Sequence, residues 1–272
     1  MKLLKRLFAF YINSSIHVAL AVVTLLAITV LEFKLQLQTE VWAFIFLASL
    51  TGYNFVKYAK VAGLHHRSLT QSLRLIQVFS ALCFLALLVL AFQLSLKVLL
   101  LTAGFGAATL LYAVPLVRSK NLRNFSGIKI FVVAFVWAGV TVILPFVASK
   151  AEITTEVLLT FLQRILIVIA LILPFEIRDV PYDSLNLKTL PQQLGVEKTK
   201  ILGQVILVVC VLIEIFEIEF ELAQFLSLFI FCAVLAWVLK ISKPDQNRYF
   251  ASFWVEGLPM LWLLLYVLLK NF

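Results

Sequence analysis

The chain has 272 residues, of which 63% are hydrophobic and 14% are charged, and its formal net charge at pH 7 is +9. With a mean hydropathy of +1.05, this composition excludes a soluble globular domain. Glycine and proline are scarce, at 9 and 7 residues, and phenylalanine is abundant, at 24. We therefore predict long apolar helices rather than a barrel of alternating strands, in one all-helical membrane domain that covers residues 1–272.

Nine apolar runs are long enough to cross a hydrocarbon layer of about 30 Å. In chain order they cover residues 14–33, 38–57, 72–93, 97–117, 127–148, 157–176, 200–217, 221–240 and 249–269. We read them as nine membrane-spanning helices of a multi-pass protein. The first two runs carry enough polar side chains to be tilted or to line a cavity.

The basic residues give the orientation, since cytoplasmic loops are enriched in Lys and Arg. Alternate loops hold 18 of these residues on one side and four on the other, while Arg164 lies inside a span. We therefore expect a cytoplasmic N-terminus in the bacterial inner membrane, and an Arg164 side chain that extends towards the outer headgroups. This bias and anionic lipids explain the net charge without a nucleic-acid partner. Alternatively, some of the cations converge on an anionic substrate.

Two basic loops follow the second and fourth runs. The first, TGYNFVKYAKVAGLHHRSLTQ, contains Asn54, Lys57 and Lys60 but no carboxylate, and helical spacing puts Asn54 and Lys57 on one stripe. The second, LLYAVPLVRSKNLRNFSGIKIF, contains Arg118 and Lys120. Arg and Lys at this density suit a phosphate-bearing ligand. A basic collar at the membrane surface is the alternative for both loops.

The loop after the sixth run, FEIRDVPYDSLNLKTLPQQLGVEKTK, contains two of the chain's three aspartates, Asp179 and Asp183, flanked by Arg178 and Lys188. On a continuous helix, this spacing would put both carboxylates on one face, where they could hold a Mg²⁺ ion that bridges to a diphosphate. Pro181 disfavours helical geometry at the residue before it, so we expect the span to end near Asp179 and a turn to present the pair. The alternative is a solvated turn with local Arg–Asp pairing.

Two further signals concern the ends of helices. Thr189 and Gln192 fit a capping box, with Gly195 as a stop, and predict a short helix over the cytoplasmic mouth. Glu256 lies within the last run beside Gly257. An acid at that depth faces a cavity or a partner, and a structural hydrogen bond or an extension to the membrane surface is the alternative.

The string RDVPYDSLNLKTLPQQLG resembles the second aspartate motif of the UbiA superfamily of intramembrane prenyltransferases, in its menaquinone-type branch, with RDxxxD, a following basic residue, TLP and LG. The segment YAVPLVRSK, from Tyr112 to Lys120, is similar to the tyrosine-and-basic stretch after that family's fourth helix. The nine runs and the side on which these loops lie also match. The resemblance covers essentially the whole chain.

The resemblance implies an enzyme that transfers a polyprenyl group, an alkyl group other than methyl, from its diphosphate to an aromatic or other small acceptor, with Mg²⁺ as cofactor. It implies Asp179 and Asp183 as catalytic residues and metal ligands. The residues that we expect at the diphosphate are Asn54, Lys57, Lys60, Arg118, Lys120, Arg178 and Lys188. The prenyl chain would lie between the spans, next to membrane lipid.

The sequence departs from the family at its first motif, NDxxDxxxD. Aligned on Asn54, the three aspartate positions fall on Phe55, Tyr58 and Ala62, and no aspartate precedes Asp179. Local carboxylates can therefore build one Mg²⁺ site at most.

Two outcomes follow from this degenerate motif. Lys57 and Lys60 can neutralise the diphosphate in place of a carboxylate-held ion, or the chain is a non-catalytic isoprenoid-binding or scaffold protein. We favour the enzyme because the second motif is so complete. A transporter is the least favoured hypothesis, since transporters place polar sites near the midplane of the membrane.

Overall fold

The computed structural model describes residues 2–64, 71–113, 128–183, 187–216 and 221–271. Within these ranges the regular structure is helical, and the described residues contain no strand. This agrees with the all-α class expected from composition. The helices are long because the apolar runs contain few glycine or proline residues to interrupt them.

Twelve α-helices are described in these ranges. They are α1 (Lys2–Asn13), α2 (Ile16–Glu32), α3 (Thr39–Leu64), α4 (Gln71–Ala91), α5 (Leu96–Ala113), α6 (Ile128–Ala138), α7 (Leu144–Ser149), α8 (Thr155–Asp179), α9 (Leu190–Leu194), α10 (Val196–Ile215), α11 (Leu222–Ile241) and α12 (Leu258–Lys270). Two π-helical segments, Gly139–Ile143 and Phe250–Val255, lead into α7 and α12.

Five helical segments in the described residues are long and apolar enough to cross a membrane, or six if the bent pair of α1 and α2 counts as one span. The five are Leu73–Ala91, Lys129–Ser149, Thr155–Asp179, Leu222–Ile241 and Phe250–Lys270. The structure thus supports a membrane-embedded helical protein. The total of nine spans and the cytoplasmic N-terminus stay predictions.

The chain bends sharply between α1 and α2. The two helices meet at 55°, and Ser15 has a left-handed backbone with φ of 61°. Polar side chains at Asn13, Ser14 and Ser15 compete with the helical backbone for hydrogen bonds and so favour a break here. The bend allows α1 to leave the direction of the bundle, and its end lies beside α3.

The helix α8 is central to the bundle. It packs against α6, α10 and α11, and 61% of its apolar window is buried, against 11% for α4. Close packing replaces the hydrophobic effect as the force that holds helices together in lipid. At Gly203 of α10, an added Cβ would lie 2.7 Å from Leu173 Cδ1, so the glycine permits the close approach of α10 to α8.

Candidate functional site

A cavity of about 1240 Å³ lies between α3, α4, α5, α6, α8 and the start of α12. Its walls are mainly apolar and include Phe44, Phe84, Phe105 and Trp137. The second predicted span, now α3, therefore does line a cavity. A space of this size and character suits a long hydrocarbon group.

Charged and polar side chains border this cavity at one end, which we call the cavity mouth and define by Asn54, Lys129, Asp179 and Glu256. Asp179 is the last residue of α8, and Lys129 is the second residue of α6. Lys129 Nζ lies 2.7 Å from Glu176 Oε1 on α8, which fixes the start of α6 against the end of α8. The cavity thus combines apolar walls with a polar end.

The first aspartate of the RDVPYD motif is held by its neighbour. Arg178 donates to Asp179 through Nε, 2.8 Å from Oδ1, and through a terminal nitrogen, 3.2 Å from Oδ2. The guanidinium carbon also lies 5.3 Å from the centre of the Phe175 ring. Both side chains are a little under one-third exposed. The local Arg–Asp pairing expected for a solvated turn is therefore present, but at the edge of the cavity.

The second aspartate lies on the turn that follows α8. The Asp183 amide donates to the Asp179 carbonyl over 2.9 Å, and the Asp183 carbonyl accepts from Gln192 Nε2 over 3.2 Å. Asp183 Oδ2 is buried and has no hydrogen-bond partner among the described residues. The structure agrees with a helix that ends at Asp179 before Pro181. Asp183 does not border the cavity itself.

The short helix predicted after this turn is present as α9. The Thr189 amide donates to Gln192 Oε1 over 3.1 Å, as in a capping box. Gly195 ends the helix with φ of 83°, a conformation that glycine adopts readily. Lys188, just before the helix, has an exposed side chain and a carbonyl that accepts from Gln193 Nε2.

The polar stripe of α3 contacts the bend between α1 and α2. Asn54 Nδ2 donates to the Ser14 carbonyl over 2.9 Å and to Ser80 Oγ over 2.7 Å. The Asn13 carbonyl accepts from Lys57 Nζ over 3.2 Å and from the Tyr58 hydroxyl over 2.8 Å. These donors satisfy carbonyls that the broken helix leaves without a helical partner. The stripe therefore has a structural role, whatever else it binds.

Glu256 enters the mouth from the other side, between the π-helical segment Phe250–Val255 and α12. It interacts electrostatically with Lys57 and Arg178. Among the described residues, Glu176 and Glu256 are the two carboxylates near the mouth that lie outside the RDVPYD motif. The position of Glu256 within the last apolar run predicted an acid that faces a cavity or a partner. Sequence reasoning missed the pairing of Lys129 with Glu176, because 47 residues separate the partners.

The predicted diphosphate residues are partly assembled. Asn54 borders the cavity with Asp179, and Arg178 is paired to Asp179. Lys57 and Lys188 are exposed and do not border the cavity. The side chain of Lys60 and the whole of Arg118 and Lys120 lie outside the described residues.

No protein-family model and no curated protein matches this sequence, but solved structures do. A UbiA homologue from Archaeoglobus fulgidus bound to GPP and Mg²⁺ has a TM-score of 0.63 and 11% identity, over 96% of this chain and 100% of that chain. A structure of digeranylgeranylglyceryl phosphate synthase has a TM-score of 0.56 and 16% identity, over 97% of this chain and 98% of that chain. The chain has the UbiA-type fold. The menaquinone-type branch that the motif suggested is a finer assignment, and similarity of fold does not test it.

In this UbiA-type fold, the two aspartates can be tested as ligands of Mg²⁺. Arg178 occupies both oxygens of Asp179, whereas the buried Oδ2 of Asp183 lacks a partner among the described residues. Mg²⁺ commonly takes one or two carboxylates and completes its shell with substrate phosphates and water. By number and type of ligand, two carboxylates suit one ion of that kind. The described part of the chain holds no group of three His, Cys, Asp or Glu residues that would form a metal site by itself.

Proposed function

We propose that this chain is a UbiA-like integral membrane prenyltransferase, which transfers a polyprenyl group from its diphosphate to an aromatic or other small acceptor. The observation that carries the proposal is the cavity, whose apolar walls end at a charged mouth beside Asp179. A prenyl diphosphate has the same division into a hydrocarbon chain and an anionic head. The UbiA homologue of the same fold was solved with GPP and Mg²⁺, which supports this class of substrate.

The residues divide between the two parts of the substrate. Asp179 and Asp183 would hold one Mg²⁺ ion, and the ion would supply charge neutralisation at the diphosphate. Arg178 and Lys188 flank the pair in sequence, and Arg178 would turn from Asp179 to the diphosphate as it binds. On the proposal, the remaining contacts to the diphosphate come from Asn54, Lys57, Lys60, Arg118 and Lys120.

The chemistry is the ionisation of an allylic carbon–oxygen bond, whose electron pair leaves on the diphosphate. Fixed cations such as Arg178 stabilise the departing anion because they need no reorganisation when charge develops. The apolar walls, including Phe105 and Trp137, hold the hydrocarbon chain and keep water from the allylic carbon. Transfer to the acceptor then competes successfully with hydrolysis.

A second candidate function is a non-catalytic protein that binds an isoprenoid or assembles a biosynthetic complex. The degenerate first motif favours it, because Phe55, Tyr58 and Ala62 occupy the positions where the family has aspartates. Lys57 partly offsets this loss, since its Nζ donates to the Asn13 carbonyl at the bend and interacts electrostatically with Glu256 and Arg178. We favour catalysis because Asp183 keeps an unpartnered oxygen beside a paired Asp179.

The experiment uses the full chain in lipid nanodiscs with labelled geranylgeranyl diphosphate and Mg²⁺. Binding, release of inorganic diphosphate and labelling of hydroxylated aromatic acceptors are measured for wild type, Asp179→Ala and Asp183→Ala. We expect each change to lower turnover by about 10²-fold or more, as for the loss of other groups that stabilise developing charge. Asp245→Ala is the matched control, since Asp245 is exposed and away from the cavity.

The possible results separate the two candidate functions. Turnover that both aspartate changes leave intact would sink the assigned mechanism. Binding of the diphosphate without release or transfer would instead establish the non-catalytic function. Failure of the wild-type chain to bind would remove both.

A further inference from the structure

Glu256 has an unusual backbone setting. It follows the π-helical segment Phe250–Val255, and its amide donates to the Ala251 carbonyl, five residues earlier, over 3.1 Å. The next amide, that of Gly257, donates to the Phe253 carbonyl over 2.9 Å. Such π-helical bulges turn side chains away from the regular helical face and are frequent at functional sites. Here the bulge precedes the acid that borders the cavity.

The Phe253 carbonyl is itself anchored. It lies 2.9 Å from His17 Nε2, and the other ring nitrogen of His17 lies 2.8 Å from the Tyr11 hydroxyl. The His17 and Phe253 rings also stack, with centroids 5.0 Å apart. The segment before Glu256 is therefore tied to α1 and α2. A side chain on a supported segment can hold a ligand in a defined position.

The carboxyl group of Glu256 has no hydrogen-bond or ion-pair partner among the described residues, although it borders the cavity. The contrast with Glu176 is direct, because Glu176 is buried in an ion pair with Lys129 at 2.7 Å. Lys57 and Arg178 act on Glu256 electrostatically, but their donors reach Asn13 and Asp179 instead. An unpaired acid in an apolar setting is costly to keep unless it serves a ligand.

We propose that Glu256 binds the acceptor substrate through its hydroxyl group and takes the proton that the acceptor loses on prenylation. This inference rests on the proposed function and deepens it. It assigns a neutral, hydroxyl-bearing acceptor, for which we take a hydroxylated aromatic ring as the chemical class.

The step balances in atoms and charge. The carbon–oxygen bond to the diphosphate breaks, and its electron pair leaves with the diphosphate. An electron pair of the acceptor forms the new bond to the allylic carbon, and the acceptor proton moves to the Glu256 carboxylate. The product leaves neutral, and the proton is released from Glu256 to water when the mouth empties.

Charge argues for a neutral acceptor. To take a proton, Glu256 must be a carboxylate when the acceptor is bound. An acceptor with its own carboxylate or phosphate would then be repelled by both Glu256 and the diphosphate. A hydroxyl group instead donates a hydrogen bond to the carboxylate, a strong bond because one partner is ionised. A site built around such a bond rejects an analogue that lacks the hydroxyl.

The test labels carboxyl groups directly and does not depend on turnover. The full chain in nanodiscs is treated with dicyclohexylcarbodiimide, which reacts with carboxyl groups in apolar surroundings, and modified residues are identified by mass spectrometry. We expect modification of Glu256 and none of the paired Glu176. The probes are 1-naphthol and its matched control naphthalene, which lacks the hydroxyl, with glycerol 1-phosphate as an anionic probe.

We expect 1-naphthol to protect Glu256 about tenfold better than naphthalene, the ratio expected when a hydrogen bond to a charged group is lost. Equal protection by naphthalene would overturn the inference, since the site would then be a general apolar space. Protection by glycerol 1-phosphate alone would overturn the assigned acceptor class. An unmodified Glu256 would show that the acid has a partner and would also overturn it.

A parallel measurement separates this inference from the proposed function. Binding of geranylgeranyl thiolodiphosphate with Mg²⁺ is measured for wild type and Glu256→Gln. We expect the same affinity within about threefold, because Glu256 is assigned to the acceptor. Failure of the wild type to bind this analogue counts against the proposed function alone, whereas loss of binding only in Glu256→Gln counts against the assignment of Glu256 to the acceptor.

Discussion

Two groups of polar side chains lie along α8, one near the middle of the helix and one at its C-terminal end, and they differ in how their hydrogen bonds are used. One is the cavity mouth. The other, the Arg164 cluster, consists of Glu32, Gln163, Arg164, Glu214 and Trp262. Arg164 and Asp179 are 15 residues apart on α8, so about 22 Å separates them along the helix at 1.5 Å per residue.

The Arg164 cluster is paired mainly within itself, although Arg164 Nε and Glu32 Oε2 have no hydrogen-bond partner among the described residues. Arg164 is fully buried and donates to the Leu25 carbonyl over 2.7 Å and to Thr29 Oγ1 over 3.3 Å. Its guanidinium lies 5.2 Å from the centre of the Trp262 ring and 4.0 Å from a Glu32 oxygen. The charge is therefore shared among side chains and backbone of α2, α8 and α12.

Gln163 extends this cluster to α10. Its Nε2 donates to Glu214 Oε2 over 2.8 Å and to the Cys210 carbonyl over 3.0 Å. The mouth differs in its access to the cavity. Glu256 borders the cavity and has no hydrogen-bond partner among the described residues, whereas the unpartnered atoms of the Arg164 cluster do not border it. We infer that the Arg164 cluster holds helices together, whereas Glu256 at the mouth is available to a ligand.

Arg164→Met should give the largest loss of stability. It leaves Glu32 and Glu214 buried without their cation, and breaking a buried ion pair costs about 3–5 kcal/mol. The measurement is the free energy of unfolding in detergent micelles. Lys240→Met is the control, because Lys240 is exposed near the end of α11. A loss for Arg164→Met no larger than the control would mean that the cluster does not stabilise the bundle.

Asn54→Leu should have an intermediate effect. Its side chain is 3% exposed, and the change leaves the Ser14 carbonyl without its donor, at a cost of about 1–3 kcal/mol. The control is Ser80→Ala, which removes one acceptor of Asn54 but leaves the bond to Ser14. If both variants unfold with equal free energies, the bond across the bend contributes little.

Lys270→Met should have a small effect, although Lys270 lies near the Arg164 cluster. Its Nζ is 3.7 Å from Glu221 Oε1, and both side chains are about one-third exposed. Pairs of this kind contribute about 0–1 kcal/mol. A double-mutant cycle with Glu221→Gln measures the coupling. A coupling above that range would mean that this pair belongs to the Arg164 cluster.

Asp179→Asn should change stability least, by about 0.5 kcal/mol or less, since its partner Arg178 is adjacent and partly exposed. The same variant should lose prenyl transfer. Asp179→Asn is thus expected to have a small effect on stability and a large effect on activity, whereas Arg164→Met is expected to have a large effect on stability. Melting temperature and product formation are measured on one preparation. If Asp179→Asn is strongly destabilised, then Asp179 stabilises the helix bundle, as the Arg164 cluster does.

The sequence predicted the local features of the site well. The turn after Asp179 follows from Pro181, and the start and end of α9 follow from Thr189, Gln192 and Gly195. These signals act over a few residues, so they can be read without the fold. The expectation that Arg164 extends to the outer headgroups was wrong, because Arg164 is buried and donates to Leu25 and Thr29. These contacts could not be predicted from local sequence, since both partners are more than 130 residues away.

By itself, the sequence determined that this is a helical membrane protein, because its apolar runs leave no other way to satisfy the backbone in lipid. It also marked Asp179 and Asp183 as a pair. The tertiary structure alone decided which polar groups pair with one another and which border the cavity. Asn54 donates to the Ser14 carbonyl, Arg164 donates to the Leu25 carbonyl, and Glu256 borders the cavity. Those outcomes depend on how helices distant in sequence pack, and no local pattern encodes them.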